Sequence, residues 1–255
     1  MKEISYQIEN GIALMQIDRP KALNALSRAI IDEMDCMIDE LAADPNVRVL
    51  ILYSEGNFAA GADISGMAEC DPEGARTFGF SPTYNKLEAL TIPTIAVIEG
   101  YALGGGLELA LACDLRIAAD NAKMGFPEIS LGIMPGAGGT VRAPKLIGPA
   151  LAKEMILMGG TISAEKAERI GIVNAVLPQA EVMGLAMKWA EKLKRLSAEA
   201  LKTAKQTVNE TCQEPDIAKG VAIEFDHWCE MFRTEDQKEG MRAFLEKRKP
   251  EFKGR

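Results

Sequence analysis

Three short stretches hold the residue types that could do acid–base chemistry beside a carbonyl. In GYALGGGLELALACD (residues 100–114) three consecutive glycines precede a lone carboxylate, Glu108. A glycine weakens a helix by roughly 1 kcal/mol relative to alanine, and a carboxylate in an apolar core without a partner costs several kcal/mol. A chain that carries both side by side does so for something other than stability. Set between the strand TIAVIEG and a helix through 107–112, the glycines leave first-turn N–H groups and the positive end of the helix dipole open to a ligand oxygen. Glu108 follows Gly105 by about one turn and faces the same space. The loop FAAGADI (58–64) also follows an apolar run and is built from small residues with one aspartate. Two such loops at the ends of neighbouring strands can each give one N–H to a single oxygen, and each donor of such an oxyanion hole is typically worth roughly 10²–10³ in rate. In FPEISLGIMPGAGGT (126–140), Pro127 is expected to hold Glu128 at a non-helical position before a glycine-rich turn open to substrate or water.

Two backbone donors suit an oxygen that gains negative charge, such as a thioester carbonyl on the way to its enolate. Two carboxylates without a metal suit proton delivery and removal. Addition of water across a double bond conjugated to a carbonyl uses all of these parts. Other chemistries lack theirs. The single histidine, His227, lies in VAIEFDHWCEMF, an amphipathic helical pattern, and reads as a packed or surface side chain. There is no GxSxG to pair with it, no GxGxxG and no GxxxxGK[ST]. Taken singly, each motif has a plain structural reading, with glycines for close helix packing and a glutamate facing solvent. Their occurrence together and in order favours the chemical one.

The elements that must position these residues are legible as an α/β pattern. ISYQIE and IALMQID alternate about Asn10-Gly11 and read as a hairpin. A helix from about Ser27 carries Ile30, Met34, Met37/Ile38 and Leu41 on one face and ends at Asp44-Pro45. VRVLILYS, TIPTIAVIEG and DLRIAAD read as strands buried on both faces, the second leading straight into the glycine triplet. From about Thr140 onward nearly everything reads as helix, with Val182, Leu185/Ala186, Trp189, Leu193 and Leu196 forming one stripe. No linker or clean domain boundary interrupts the chain.

Composition sets outer bounds. The 255 residues, 47% hydrophobic and 26% charged, are enough for one large domain, and a net charge of −8 disfavours nucleic acid or an anionic membrane as partner. No apolar run approaches the ~20 residues of a membrane helix. The opening MKEISYQIEN shows strand-like alternation and neither a signal nor a transit peptide. Five scattered cysteines without a CxxC pair read as reduced thiols of a cytoplasmic protein.

RPKALNAL (19–26), FAAGADI, GYALGGGLELALACD, FPEISLGIMPGAGGT and the C-terminal EGMRAFLEKRKPEF together resemble the crotonase superfamily, most closely its enoyl-CoA hydratases, across essentially the whole chain. The resemblance implies a spiral of ββα units in residues 1–195, carrying the active site. A helical region, 196–255, would belong to the same unit and build trimers, often paired into hexamers. It implies that Ala62 and Gly105 supply the oxyanion-hole N–H groups and that Glu108 and Glu128 hold the water, the second with the main acid/base role. The backbone around Gly136 would lie near that water. Lys21, Ala22, Ala60, Asp63 and Ile64 fall in segments that contact coenzyme A, chiefly through backbone atoms. Coenzyme A enters as part of the substrate, with no other cofactor and no metal. Retention of both glutamates favours hydration over double-bond isomerisation. Phe126 departs from a glutamine common in hydratases just before the Pro-Glu pair, which bears on the pocket wall and the substrate more than on the reaction.

The expected activity is therefore reversible hydration of short- or medium-chain trans-2-enoyl-CoA thioesters. An isomerase, a hydratase of a cyclic or branched acyl group, and a non-catalytic acyl-CoA-binding scaffold are the alternatives. Met67, Phe78, Phe80 and Tyr84 are candidates for the acyl tunnel. The basic end EKRKPEFKGR reads either as a solvated tail or as a contact for the coenzyme's phosphates. EKLKRLSAEALKTAK, which could suggest RNA binding, reads as a solvated helix face because its cations are interleaved with glutamate.

Overall fold

The computed structural model describes residues 2–254. Strands β1 (Ile4–Glu9) and β2 (Ile12–Ile17) form the expected antiparallel hairpin. Asn10 and Gly11 both take positive φ, 51° and 79°, as a type I′ turn requires. Helix α1 (Arg28–Ala43) is capped by Ser27, whose hydroxyl accepts from the Ile30 N–H at 3.3 Å, and buries Ile30, Met34, Met37, Ile38 and Leu41. After β3 (Val49–Ser54) and the loop that carries Ala60–Ile64 come two short helices, α2 (Pro72–Phe78) and α3 (Ser81–Ala89).

The next stretches repeat one pattern. β4 (Thr94–Ile98), β5 (Tyr101–Leu103) and α4 (Gly105–Leu111) form one ββα unit, and β6 (Leu115–Ala119), β7 (Lys123–Gly125) and α5 (Gly139–Met158) form the next. In each, the first strand joins a six-stranded sheet and the second a three-stranded one. The chain thus winds as a spiral that advances one strand per turn. β8 (Thr161–Ser163) completes the small sheet, and α6 (Ala164–Ile170) leads to β9 (Ala175–Leu177) at the edge of the large one, whose order is β1-β2-β3-β4-β6-β9. Helices α7 (Val182–Lys194), α8 (Ala198–Thr211), α9 (Ile217–Met231) and α10 (Glu235–Leu245) follow.

The large sheet is covered on both faces, which is why its central strands read as unbroken apolar runs. In β3, Leu50 and Leu52 face the main core with α1, while Val49 and Ile51 face a second core closed by Val182, Ala186 and Ala190 of α7. Three expectations need correction. The strand through Ile98 does not run straight into the glycine triplet, because the chain turns at Gly100 (φ 52°) and forms β5 first. The region after Thr140 contains β8 and β9, three residues each, too short to show alternation. The stripe of α7 holds at Val182, Leu185, Ala186, Trp189 and Leu193, but Leu196 lies past the helix and is exposed.

The C-terminal segment is not a free tail. Arg248 forms a bidentate ion pair with Glu239, and buried Asp236 accepts from the N–H groups of Lys253 and Gly254. EKLKRLSAEALKTAK is divided between α7 and α8, where Lys194 pairs with Glu191 and Lys205 is buried against Asp114 at 2.8 Å. His227 bridges α9 to the Thr207 hydroxyl of α8 at 2.7 Å. No helix among the described residues is long and apolar enough to cross a membrane.

Candidate active site

The two small-residue loops meet because backbone hydrogen bonds leave them no alternative. Ala59 donates to Tyr101 O at 2.8 Å and accepts from the Leu103 N–H at 3.0 Å, which ties the loop after β3 to β5. On the other side, Leu26 donates to Gly61 O and Asp63 to Leu26 O, both at 2.8 Å. Gly104 takes φ 48° and starts α4, and a Cβ there would come 2.6 Å from Glu128 Oε1. Gly106 lies so close to the loop that a Cβ would sit 2.3 Å from Ala59 O. A Cβ on Gly105 would stand 3.6 Å from the Ala62 nitrogen. Gly105 thus packs against the Ala62 backbone, and neither residue's N–H donates to another group among the described residues.

Glu108, in the first turn of α4, is 2% exposed. Its Oε1 accepts two backbone N–H groups, from Ala137 at 2.8 Å and Gly139 at 2.7 Å, both in the glycine-rich turn that opens α5. Burial pushes its carboxyl above the usual carboxylate range, and those two N–H groups and the charge of Arg142 work against that rise. Glu128 is not at the non-helical position expected of it. Pro127 opens a 3-10 turn, Pro127–Leu131, and Glu128 is its second residue. Its Oε2 is buried without a hydrogen-bond partner. Burial, reinforced by the nearby charge of Glu108 and offset in part by its own N–H, pushes its pKa to about 7. The two carboxyls on this one space thus differ, one with an oxygen braced by two amides and the other with a buried oxygen that has no partner.

Both glutamates open into a cavity of about 420 Å³ with Ala60, Ala62, Gly105 and Gly136 on its wall. Ile64 and the candidate tunnel residues Met67, Phe78 and Phe80 also line it. Tyr84 does not line it: it is fully buried and donates to Gly105 O at 2.9 Å. Phe126 is not on the wall either. Its ring is wholly buried beneath the Gly139 turn, where a Cβ on that glycine would meet it at 2.7 Å. Lys21 and Ala22 stand on the 3-10 turn Pro20–Ala22, outside the cavity, in a segment joined to the loop by the Ala60 N–H to Leu23 O bond. Asp63 also lies off the wall. The Ser65 hydroxyl and Arg19 hold it below the usual carboxylate range, and its 2.7 Å pair with Arg19 fixes the loop.

Sequence reasoning did not find the N–H groups of Ala137 and Gly139, Ser81, or Arg142 with Glu88, and it gave Tyr84 a place in the acyl tunnel rather than its bond to Gly105 O. Only the glycine run of GAGGT gave a signal, since Gly138 holds φ 112°, a conformation other residues rarely adopt. No group of three His, Cys, Asp or Glu that could hold a metal occurs among the described residues.

Comparison with known proteins agrees with this arrangement. Residues 7–255 match the family described as enoyl-CoA hydratase/isomerase. A short-chain-enoyl-CoA hydratase of Clostridium acetobutylicum is 44% identical over 100% of this chain and 99% of its own. A crotonyl-CoA hydratase of Syntrophomonas wolfei is 42% identical over 98% of each chain. The crystal structure of an enoyl-CoA hydratase from Bacillus anthracis superposes with a TM-score of 0.93 at 37% identity over 100% of both chains. With spiral, glycine-bearing loops and full-length likeness in agreement, the chain belongs to the enoyl-CoA hydratase/isomerase family and has its crotonase fold.

Proposed function

We propose that the protein hydrates short- or medium-chain trans-2-enoyl-CoA thioesters reversibly, with Glu108 and Glu128 as its acid/base pair. The observation that carries this reading is that Ala62 and Gly105, whose N–H groups donate to nothing among the described residues, line one otherwise apolar cavity with two buried carboxyls. The thioester oxygen accepts from Ala62 N–H and Gly105 N–H, which stabilise the negative charge that develops there. Ionised Glu108, its Oε1 fixed by two amides, takes a proton from water through its other oxygen as the water oxygen bonds to the β-carbon. Protonated Glu128 gives its proton to the α-carbon. Passage of the proton from Glu108 to Glu128 through solvent restores the pair. Gly136, Ala60 and Ile64 flank the thioester and acyl group, and Lys21, Ala22 and Asp63 belong to the segments that receive coenzyme A. Coenzyme A is part of the substrate, and the cycle needs no other cofactor and no metal.

Residues 1–195 carry the site and 196–255 serve assembly in this reading. Ile217, Val221, Phe225 and Trp228 on α9 and Phe232 just past its end are exposed, as are Phe244 and Leu245 on α10, a face that suits a homotrimer or hexamer. A cytoplasmic location is supported by five cysteines that are all free thiols. The test is loss of the conjugated-enoyl ultraviolet absorbance of crotonyl-CoA. Rapid loss is expected; no loss, with coenzyme A binding intact, would overturn the short-chain hydratase assignment.

A further inference from the structure

The turn that holds Glu108 is itself held from outside, and by a helix that contributes little to the cavity. The peptide group joining Gly136 and Ala137 is gripped at both ends: its N–H donates to Glu108 Oε1 at 2.8 Å, and its C=O accepts from the Ser81 hydroxyl at 2.9 Å. The next carbonyl, Ala137 O, accepts from Arg142 Nη1 at 3.1 Å. Arg142 is in turn fixed by α3, through Asn85 Oδ1 at 2.8 Å and both oxygens of Glu88 at 2.8 and 3.3 Å. Its side chain is only 10% exposed, so the guanidinium is not a mobile surface cation. Tyr84, on the same helix, donates its buried hydroxyl to Gly105 O. Ser81, Tyr84, Asn85 and Glu88 follow the i, i+3, i+4, i+7 spacing of one helical face. That face braces the backbone of both halves of the site while leaving the substrate space free.

We propose that α3 is a positioning element in which Ser81 and the Glu88–Arg142 pair aim the Ala137 and Gly139 N–H groups at Glu108, and so set the angle at which that carboxylate meets the reacting water. The inference rests on the hydratase reading. It adds that Ser81 and Arg142 touch no substrate atom and act on the turnover step through the turn. A peptide group anchored at its carbonyl end cannot rotate without breaking that anchor, so the N–H end is fixed by the Ser81 bond. Misplacing a catalytic group by about 1 Å from outside the site can cost up to about 10²-fold in rate.

The test is steady-state hydration of crotonyl-CoA by wild type, Ser81→Ala, Ser81→Thr, Arg142→Met and Arg142→Lys, with melting temperature measured on each. Ser81→Ala is expected to lower kcat about tenfold while KM stays within about twofold, and Ser81→Thr, which restores a hydroxyl, to recover most of the loss. Arg142→Lys is expected to retain more of kcat than Arg142→Met at equal KM. The Ser81 pair keeps the question open to an answer if Arg142→Met fails to fold, because Ser81 gives up only one partly exposed hydroxyl. A kcat for Ser81→Ala within twofold of wild type, or a loss that Ser81→Thr does not recover, would overturn the brace. Absence of turnover in wild type would instead sink the hydratase reading on which it rests.

Discussion

Glu108 and Glu128 stand in the same cavity with opposite surroundings, and each difference has a measurable consequence. Glu108 has two amide donors on one oxygen, which offset part of the rise that burial imposes on its carboxyl. Glu128 has a buried oxygen with no partner and a pKa pushed to about 7, so near neutrality it holds a proton for much of the time. Replacing either by glutamine is expected to lower kcat for crotonyl-CoA hydration by about 10²–10⁴-fold, read from the absorbance assay. The stability effect of Glu128 has a definite sign. Its folded pKa lies above the ordinary value, so the folded state binds the extra proton between the two and stability falls as pH rises from about 4.5 to about 7. Glu128→Gln should therefore unfold at higher urea than wild type at pH 8, by on the order of 1–2 kcal/mol after allowance for the open side of the cavity. The gain should vanish towards pH 4.5. An equal gain at both pH values would show that the carboxyl's charge is not its cause.

At the scale of elements, the site is a meeting of helix starts and loops held at backbone distance. Helix α4 can lie against the loop after β3 because Gly106 has no side chain. Gly106→Ala would drive a methyl onto the Ala59 carbonyl and is expected to destabilise by about 1–3 kcal/mol and to lower kcat with it. Gly136→Ala is the matched control for stability. Its Cβ would meet nothing nearer than 4.0 Å, so denaturant unfolding should stay within about 0.5 kcal/mol of wild type. The cavity wall supplies a prediction on substrate too. Its only charged side chains are the two glutamates, among Met67, Phe78, Phe80, Leu131 and Ile133. An enoyl-CoA whose chain ends in a carboxylate would lose hydration and meet no cation, so its kcat/KM should fall about 10²-fold or more below that of crotonyl-CoA. Comparable turnover of the two would mean that the acyl tail leaves this cavity.

For the whole molecule, the exposed aromatic ladder along α9 and the residue that caps it sets the expectation. Phe225 stacks on Trp228 at 5.9 Å and Trp228 meets Phe232 edge-on at 4.6 Å, yet Phe225 and Trp228 remain more than half exposed. Light scattering should report an oligomer, and Phe225→Asp combined with Trp228→Lys should shift the mass towards the monomer. A wild-type monomer at micromolar concentration would remove assembly from the proposed role of residues 196–255.

Much of this was legible in the chain. Asn10-Gly11 specified its turn, Ser27 its helix start, and the apolar runs at 49–54 and 94–98 their burial on both faces, because each is a local rule acting over a few residues. The glycines of 104–106 and the two glutamates marked the region of the cavity, since residue type and spacing alone raise a cost in stability there, and the folded chain sets both glutamates on one wall. What the sequence could not state was anything fixed by long-range contact. Strands of three residues such as β8 and β9 carry no periodic signal and exist only because a neighbour pairs with them. Phe126 and Tyr84 looked like pocket residues, but burial depends on what packs above a side chain, and the Gly139 turn and Gly105 carbonyl lie outside the few residues over which a local pattern acts. The brace from α3 to the 136–139 turn joins residues more than fifty positions apart. Composition and motif determined which groups would be charged, small or apolar. Only the folded chain decided that one carboxyl has two amide donors from a distant turn and the other a buried oxygen with none, because a hydrogen bond depends on where distant backbone lies.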